Sequence, residues 1–395
     1  MDIDSYKSLL NKRLLFNSET NVLLLQGPVG NFFNEFAKHI IMHGGSVFKI
    51  HFTFAEKFFY DQKEEFFYKN TIEEWPKYFT KFVKKNKINR VYLMNDSRPY
   101  HKPIIKICAD IDVDLFVFED GYFRPGYITL EPFGINGNSH FPKFAFDNFN
   151  DNQNLPSLEM NLYSKDYSRI LFSLISNFNF ITSRNYKPYR PINSFYWAVR
   201  LFRKYLSKAI NILKDSIAIK KILKADDDIK VFFVPLQVFD DTQIKYHSKY
   251  KNTFEFIFEI LQSFGALNIK NFKIIIKQHP GDRGAINYKN FITEKAKIYG
   301  ITKNICFNST TDVDELINLS DGIILINSTV GINSLIKNKR VHCSGVSVYR
   351  DLCQNIELNE FINNTFNSNY FDNTDNIKFL TKLKNVTQIK GSFHK

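Results

Sequence analysis

Short apolar runs alternate with amphipathic segments along the first third of the chain. Such runs, bounded by turn residues, are typical of strands in a sheet that is covered on both faces. They predict strands over Asn21–Gln26, Ser46–His51, Arg90–Asn95 and Val113–Glu119. The segments between them carry apolar residues at three- and four-residue spacing and predict helices over Asn31–His43, Thr71–Lys85 and Lys102–Asp110. This alternation of strand and helix predicts a parallel α/β sheet.

A second series of the same kind begins at Lys230. Its predicted strands are Lys230–Pro235, Lys273–Gln278, Gly322–Asn327 and Arg340–Cys343, and its predicted helices are Phe254–Phe264, Asp312–Leu319 and Val330–Ile336. We therefore predict two Rossmann-like domains, residues 1–225 and 226–355, with a ligand cleft between them. The polar, Asn-rich tail, residues 356–395, either packs back on the first domain or is partly disordered.

A long basic helix is predicted over Phe195–Lys224, within the first domain. Its apolar residues recur at helical spacing, at Phe202, Leu206, Ile210, Leu213 and Ile217. Eight Lys or Arg residues fall between 200 and 224, against one acid, Asp215. One interpretation is a helix that lies on an anionic bilayer surface through Arg200, Arg203, Lys204 and Lys208. The other is an interdomain helix whose apolar stripe faces the core and whose basic face is solvated.

The net charge of the chain indicates which kinds of partner it could bind. The 395 residues carry a formal net charge of +13, which favours a phosphorylated substrate, an anionic lipid surface or nucleic acid. Much of this excess also fits a general bias toward Lys, Asn, Ile and Phe. No nucleic-acid-binding module is recognisable, so we expect no nucleic-acid partner.

The cysteines and the lengths of the apolar runs bear on the cellular compartment and on membrane contact. The four cysteines form no CxxC pair, so we expect neither a zinc site nor a disulfide framework, and a reducing cytoplasm fits best. No run reaches the roughly 18 apolar residues of a spanning helix, and the N-terminus lacks an apolar signal region. Membrane contact would then be peripheral.

Two segments of the first domain could carry chemistry. Gln26, Gly27 and Gly30 follow the first strand and open a helix, where they either bind a ligand through a close backbone approach or only form a tight turn. The segment FEDGYFRPGYITLE begins at Phe118 and places two acids at a strand end. Its candidate site residues are Glu119, Asp120, Tyr122, which could stack on a sugar, and Arg124, which could clamp an anion.

Three segments of the second domain follow predicted strands. The first offers Gln237, Asp240 and Asp241, whose carboxylates could act as nucleophile or base, could bind Mg²⁺, or could only cap a helix. The second offers the His279-Pro280 pair and Arg283, and a histidine there could donate a hydrogen bond to a departing phosphate oxygen. The third offers Asn327, Ser328 and Thr329 at the start of a helix, which is an anion-friendly position.

Taken together and in this order, these segments resemble the β-Kdo transferase family of capsule polysaccharide biosynthesis, of the KpsS type. The matching segments are LLLQGPVGNFF, FEDGYFRPGYITLE, VPLQVFDDTQIKYHS, IKQHPGDRG and INSTVGINSL, followed by Val346–Tyr349. The resemblance spans roughly Leu23 to Tyr349 and so covers most of the chain.

The resemblance implies a GT-B-like glycosyltransferase that moves β-Kdo from CMP-β-Kdo to a phosphatidylglycerol-type lipid with retention of configuration. This reaction would begin the poly-Kdo linker of a capsule at the inner face of the cytoplasmic membrane, where other capsule assembly proteins are further partners. The resemblance also implies that no metal or other cofactor is needed.

The resemblance assigns roles to particular residues. The spacing from Gln237 nominates Asp241 as the nucleophile of a double displacement, with Asp240 as the alternative. Glu119 would assist at the acceptor hydroxyl, and His279 with Ser328 and Thr329 would hold the cytidylate phosphate.

The chain departs from the family pattern at Thr53–Glu56, where an Asn- and Asp-bearing loop is expected, and at Gly126, where an acid or amide is common. Two alternatives stay open: transfer of another CMP-linked nonulosonate, and a non-catalytic membrane scaffold of capsule assembly or export.

Overall fold

The computed structural model describes residues 1–147, 155–177, 184–188, 194–223, 228–267, 269–354, 356–367 and 374–395, without the side chains of 194–201, 223 and 374. The strands are β1 Asn21–Leu24, β2 Ser46–His51, β3 Glu65–Phe67, β4 Arg90–Met94, β5 Asp114–Asp120, β6 Tyr127–Pro132, β7 Lys230–Pro235, β8 Phe272–Lys277, β9 Ile305–Asn308, β10 Gly322–Leu325, β11 Arg340–Cys343 and β12 Gln388–Lys390. The helices are α1 Ile3–Lys12, α2 Phe32–Met42, α3 Phe54–Phe58, α4 Trp75–Lys85, α5 Lys102–Asp110, α6 Lys165–Ser176, α7 Ser194–Leu223, α8 Thr242–His247, α9 Thr253–Ala266, α10 Tyr288–Ile298, α11 Val313–Leu319, α12 Val330–Ile336, α13 Leu358–Asn367 and α14 Thr374–Thr387.

The chain forms two compact units. Unit 1 comprises Met1–Trp197 and Lys382–Lys395, and unit 2 comprises Ala198–Thr381. The predicted boundaries at 225 and 355 differ from this division. Helix α7 belongs almost entirely to unit 2, because its Asp215 bonds to the loop after β9. Helix α13 adds Phe361 and Ile362 to the core of unit 2.

The sheet of unit 1 has the order β12-β6-β5-β4-β1-β2-β3. Its strands from β5 to β3 are parallel, whereas β6 and β12 pair antiparallel at one edge. The predicted parallel sheet is present in the strands from β5 to β3, and β6 with β12 adds an antiparallel edge that was not predicted. The physical reason is the short connection from β5 to β6, which is long enough for a hairpin but too short for a crossover.

Alternate residues of the central strands of unit 1 belong to different cores. Val22 and Leu24 pack in a cluster with α2, while Leu23 and Leu25 pack on the other side with α4 and α5. Successive side chains of a strand point to opposite faces, so this alternation means that both faces are covered. Because both faces of the sheet are covered, the sequence shows the near-continuous apolar runs from which buried strands were predicted.

The sheet of unit 2 has the order β11-β10-β7-β8-β9, and all its strands are parallel. The predicted strands and helices of both series are present, with end differences of a few residues. Strand β9 and helix α10, which were not predicted, complete the connection after β8. The prediction of two α/β units of Rossmann-like topology is confirmed.

Candidate active site

Each sheet has one topological switch point, where the strand order reverses direction. In unit 1 it lies between β1 and β4, and in unit 2 between β7 and β10. In open α/β sheets, ligands bind in the crevice at the carboxyl ends of the two strands that flank such a point. Gln26 and Asn95 follow the two strands of unit 1, and Gln237 and Asn327 follow those of unit 2.

Glu119 is held at the carboxyl edge of unit 1 by Asn95, a residue that the sequence analysis did not single out. The Asn95 Nδ2 group donates to Glu119 Oε2 at 2.7 Å, and the backbone N–H of Asp120 donates to Glu119 Oε1 at 3.0 Å. Burial, reinforced by the Asp120 carboxylate, raises the pKa of Glu119 to about 7, while the hydrogen bond from Asn95 acts in the opposite direction. A carboxyl group with this pKa exchanges protons readily near neutral pH.

Gln26 is bound within unit 1 by its neighbours. Its Nε2 group donates to Glu56 Oε1 at 2.7 Å and to the Tyr186 hydroxyl at 2.9 Å. Glu56 lies in the segment where the sequence departs from the family pattern, and its Oε2 accepts from the backbone N–H of Phe52. At this position Glu56 therefore has a structural role within unit 1, because it binds both the backbone before α3 and the side-chain amide of Gln26. A ligand role for Gln26 stays a prediction.

The turn from β1 to α2 needs glycine for packing. A Cβ on Gly27 would lie 2.7 Å from the Phe33 ring, and Gly30 has φ +115° and faces the Ser168 hydroxyl. Arg98, buried beside this turn, donates to the carbonyl oxygen of Gly27 at 3.1 Å. These contacts account for Gly27 and Gly30 without a ligand, so their ligand role also stays a prediction.

The FEDGYFRP segment divides between the surface and the core. Asp120 and Arg124 are both half exposed, with 3.7 Å between Asp120 Oδ2 and Arg124 Nη2. Tyr122, by contrast, is only 2% exposed, and its hydroxyl donates to Glu131 Oε1 at 2.7 Å and accepts from the Asn136 N–H. The prediction that Tyr122 stacks on a sugar is therefore wrong, because the ring is enclosed and its hydroxyl satisfies a buried carboxylate.

Gln237 joins two candidate segments at the switch point of unit 2. Its Nε2 group donates to Asp241 Oδ2 at 3.2 Å, and its Oε1 accepts from the Asn327 N–H at 3.3 Å. Asp241 also caps α8, because its Oδ1 accepts from the Gln243 N–H at 2.9 Å. Asp240, the alternative carboxylate, is exposed. The Asn327 side-chain amide donates to the carbonyl oxygen of Gln243 at 3.1 Å, so it stabilises the loop.

His279 presents a defined tautomer. Its Nδ1 accepts from the backbone N–H of Gly281 at 2.9 Å, so a neutral ring carries its proton on Nε2. The next turn is fixed by Asp282, which is fully buried and accepts from the Phe239 N–H at 2.8 Å and from the Tyr288 hydroxyl at 2.9 Å. Pro280, which is exposed, begins this turn. Asp282 thereby ties the His279 turn to the loop that carries Asp241.

Ser328 and Thr329 immediately precede α12 and are both half buried. The Ser328 hydroxyl accepts from the Val330 N–H at 3.3 Å, and its carbonyl oxygen accepts from the Tyr349 hydroxyl. The fully buried Tyr349 ring lies against Gly331, where a Cβ would come within 2.5 Å of it. Tyr349 therefore supports the Ser328-Thr329 corner from below.

Arg283 is placed differently from the other donor candidates. It is only 7% exposed, and the charge that opposes the effect of its burial is the carboxylate of Asp215 on α7. In the sequence, Asp215 stands out only as the one acid of a basic helix. One signal was available: the tripeptide Asn308-Ser309-Thr310, which begins at the last residue of β9, repeats the Asn-Ser-Thr order found after β10.

The apolar stripe predicted on the long helix is exposed. Phe202, Leu206, Ile210, Leu213 and Ile217 are each at least half exposed. The interpretation in which this stripe faces the core is therefore wrong. Arg203, Lys204 and Lys208 lie on the same helix and are exposed or half buried, while the side chain of Arg200 lies outside the described residues.

Within the described part of the chain, no helix has the length and apolar character needed to cross a membrane. Among the described residues, the His, Cys, Asp and Glu side chains form no group of three or more that could hold a metal ion.

Comparison with known proteins places this arrangement in a family. Residues 89–394 match the family model described as capsule polysaccharide biosynthesis protein. The chain belongs to this family. It is 31% identical over 361 residues to the capsule polysaccharide modification protein LipB of Neisseria meningitidis serogroup A, covering 86% of this chain and 83% of LipB. It is 28% identical over 335 residues to the capsule polysaccharide export protein KpsS of Escherichia coli, covering 83% and 85%.

Among solved structures, this family member is similar to the β-Kdo 2,7 transferase of Thermosulfurimonas dismutans KpsC. The TM-score is 0.43 at 14% identity, and the match covers 93% of this chain and 89% of that chain. The family membership confirms the predicted KpsS-type capsule family.

Proposed function

We propose that the chain is a retaining glycosyltransferase that moves β-Kdo from CMP-β-Kdo to a phosphatidylglycerol-type lipid, the first step of a capsule's poly-Kdo linker. The observation that carries the proposal is the double hydrogen bond of Gln237 to Asp241 and to the Asn327 N–H. It brings a carboxylate and the Ser328-Thr329 corner together at the switch point of unit 2, where an α/β sheet binds its ligand.

The donor phosphate fits the polar groups of this edge. The Nε2–H of His279 and the hydroxyls of Ser328 and Thr329 are donors of the kind that bind phosphate oxygens. These groups would stabilise the charge that develops on the cytidylate as it leaves. The proposal therefore includes no metal and no other cofactor.

The proposed transfer has two steps. Asp241 attacks the anomeric carbon of Kdo, a bond forms between its carboxylate oxygen and that carbon, and the carbon–oxygen bond to the phosphate breaks with the electron pair leaving on CMP. The lipid hydroxyl then attacks the same carbon and releases the Asp241 carboxylate. The hydroxyl releases its proton to water, and the role predicted for Glu119 at the acceptor hydroxyl stays a prediction; its pKa of about 7 leaves a substantial ionised fraction at neutral pH.

The long basic helix supports a membrane-bound acceptor. Its exposed stripe includes Phe202 at 70% and Leu213 at 73%, and basic residues accompany it. Exposed apolar side chains next to Lys and Arg are the combination that binds an anionic lipid surface. We propose that this helix holds the chain peripherally at the inner face of the cytoplasmic membrane.

The test is a transfer assay with purified full-length protein, CMP-Kdo and a fluorescent phosphatidylglycerol analogue. The wild type should form a Kdo-lipid adduct, and Asp241→Asn should reduce its rate at least about 10³-fold. Asn is chosen because it still caps a helix, so α8 keeps its first turn while the nucleophile is lost. Asp240→Asn is the matched control and should keep activity within a few-fold.

Several results would contradict the proposal. Absence of an adduct across several phosphatidylglycerol analogues rejects the proposed acceptor. Full activity of Asp241→Asn together with loss of activity in Asp240→Asn would make Asp240 the nucleophile. Competition between CMP-Kdo and CMP-sialic acid distinguishes Kdo transfer from transfer of another nonulosonate. Capsule production that survives both Asp241→Asn and His279→Ala would instead indicate a non-catalytic scaffold.

A further inference from the structure

Asp215 on α7 is a buried carboxylate with an unusual set of partners. Its Oδ2 accepts four hydrogen bonds from two consecutive residues: from the backbone N–H groups of Ser309 and Thr310, each at 2.8 Å, and from their hydroxyls at 3.1 and 2.7 Å. Asp215 is 5% exposed. Two adjacent N–H groups with two hydroxyls that converge on one oxygen form a nest of the kind that binds phosphate oxygens.

Two buried cations accompany the nest. Lys277 at the end of β8 is 5% exposed, and its Nζ donates to the carbonyl oxygen of Thr311 at 2.6 Å. Arg283 is 7% exposed, and the Asp215 charge favours the protonated form of both side chains. The nearby Asp312 carboxylate caps α11 through the N–H groups of Asp314 and Glu315. Without Asp215, the nest would therefore present donors and two buried positive charges to solvent or to an anion.

The position of Asp215 on its helix matters as much as its partners. Leu206 lies nine residues earlier, which is half a turn away at about 100° per residue, so Asp215 lies opposite the exposed apolar stripe. Among the side chains of α7 that the structure describes, residues 202–222, only Asp215, Ile219 and Ile222 are buried. The carboxylate is therefore the one buried polar anchor of α7 within that described range.

We propose that Ser309 and Thr310 form an oxyanion site for a phosphate group, and that Asp215 occupies it in this structure as an internal ligand. Phosphate and the α7 carboxylate compete for the same four donors. Binding of phosphate releases the middle of α7 from unit 2, and docking of α7 expels the phosphate. This site is separate from the Ser328-Thr329 corner and does not depend on the proposed Kdo transfer.

The direct test measures binding of inorganic phosphate by isothermal titration calorimetry, at constant ionic strength, to the full-length protein. At the site formed by Ser309 and Thr310, Asp215→Ala should bind one phosphate at least 10-fold more tightly than the wild type. The combined variant Asp215→Ala/Ser309→Ala/Thr310→Val should lose that gain, because two of the four donors are removed. Ser216→Ala, an exposed neighbour on α7, is the matched control and should behave as the wild type.

A second measurement uses the wild-type protein and avoids any folding defect of Asp215→Ala. Trypsin cleavage within α7, at Lys and Arg residues between 203 and 221, should accelerate at least several-fold with inorganic phosphate. In Ser309→Ala/Thr310→Val the cleavage rate should no longer respond to phosphate. Equal phosphate affinity of the wild type and Asp215→Ala, or an equal phosphate response of cleavage with and without the hydroxyls, overturns the proposal.

Two further ligands identify the source of the phosphate group. If CMP accelerates cleavage in the wild type but not in Ser309→Ala/Thr310→Val, the natural ligand is a soluble phosphomonoester. If vesicles of phosphatidylglycerol do so with the same dependence on the two hydroxyls and CMP does not, the ligand is a lipid headgroup. Neither experiment measures Kdo transfer. Failure of this site would therefore appear in the cleavage data, and failure of the proposed function would appear in the transfer assay.

Discussion

At the scale of single residues, the pKa of Glu119 links chemistry to stability. A partly buried carboxyl group whose pKa is raised to about 7 is costly to ionise within the fold, yet ionisation is what a proton acceptor requires. The cost is set by burial and by Asp120, and it is moderated by the hydrogen bond from Asn95. Perturbed carboxyl groups of this kind are common at functional sites, and this is why Glu119 stands out.

Substitution of Glu119 by Gln should stabilise the protein more at pH 8 than at pH 5. Because the folded-state pKa of Glu119 lies above the ordinary value of 4.5, the folded chain binds this proton more tightly than the unfolded chain does. The contribution of Glu119 to stability is therefore present at acidic pH and is lost as pH rises through about 7. Urea unfolding at both pH values should show a pH-dependent gain of up to about 3 kcal/mol in Glu119→Gln.

A Glu119→Gln variant whose stability relative to the wild type is the same at pH 5 and pH 8 would show that this carboxyl is not perturbed.

At the scale of elements, the start of α12 depends on how closely the helix approaches its neighbour. Gly331 allows the Tyr349 ring to lie directly against the helix, and the Tyr349 hydroxyl reaches the carbonyl oxygen of Ser328. The position of the Ser328-Thr329 corner is thus set by a packing contact beneath it.

Gly331→Ala should weaken CMP binding at least 10-fold, because an added methyl group displaces Tyr349 and with it the carbonyl of Ser328. Fluorescence or calorimetric titration with CMP measures this change. Tyr349→Phe, which removes only the hydroxyl, is the control and should lose much less affinity. Equal affinity of Gly331→Ala and the wild type would mean that this corner does not hold the nucleotide.

The exposed stripe of α7 offers a test at the same scale. Leu213→Glu should reduce flotation with phosphatidylglycerol vesicles about 10-fold, because an exposed apolar contact is replaced by a charge that the anionic surface repels. Ile298→Glu, on the equally exposed face of α10, is the matched control, with 66% exposure against 73%. Neither variant should change the melting temperature by more than a few degrees, and equal flotation of the two would reject a membrane role for α7.

At the scale of the whole molecule, each unit has its own core, and this separation is testable. Phe393 packs in unit 1 with its ring 4.8 Å from that of Phe32, and Phe264 packs in unit 2 with its ring 4.9 Å from that of Phe232. Phe393→Ala should destabilise unit 1 by about 3 kcal/mol and accelerate amide hydrogen exchange in β5 and β6. Phe264→Ala should instead accelerate exchange in β7 and β8. Equal acceleration in both units by either variant would show one cooperative core.

Much of this architecture follows from local patterns. The parallel strands were predicted because both faces of the sheets are covered, which leaves continuous apolar runs such as Ile274–Ile276. The antiparallel strand β6 was missed because its residues belong to the segment FEDGYFRPGYITLE, which was considered only for its candidate site residues. Strand β12 was missed because three residues near a polar tail give no periodic signal.

The site was predictable only to the level of segments. Polar groups gather at the carboxyl ends of strands, and this rule was enough to predict the positions of Glu119, Gln237, Asp241 and His279, whose roles stay predictions. It was not enough for Asn95 or Asp215, whose importance comes from partners 24 and 94 residues away. Tyr122 shows the opposite error. The sequence places this aromatic residue beside two acids, but only the fold reveals that its hydroxyl donates to the buried Glu131 carboxylate.

The placement of β12 sets an order for synthesis. Strand β6 acquires its outer partner from residues 388–390, which leave the ribosome after every strand of unit 2. Until then, the backbone N–H and C=O groups along the outer side of β6 have no β12 to pair with, and an exposed strand edge invites association with other chains. All strands of unit 2 are therefore synthesised before β12 completes the sheet of unit 1. During that interval the exposed edge of β6 makes nascent chains prone to aggregate.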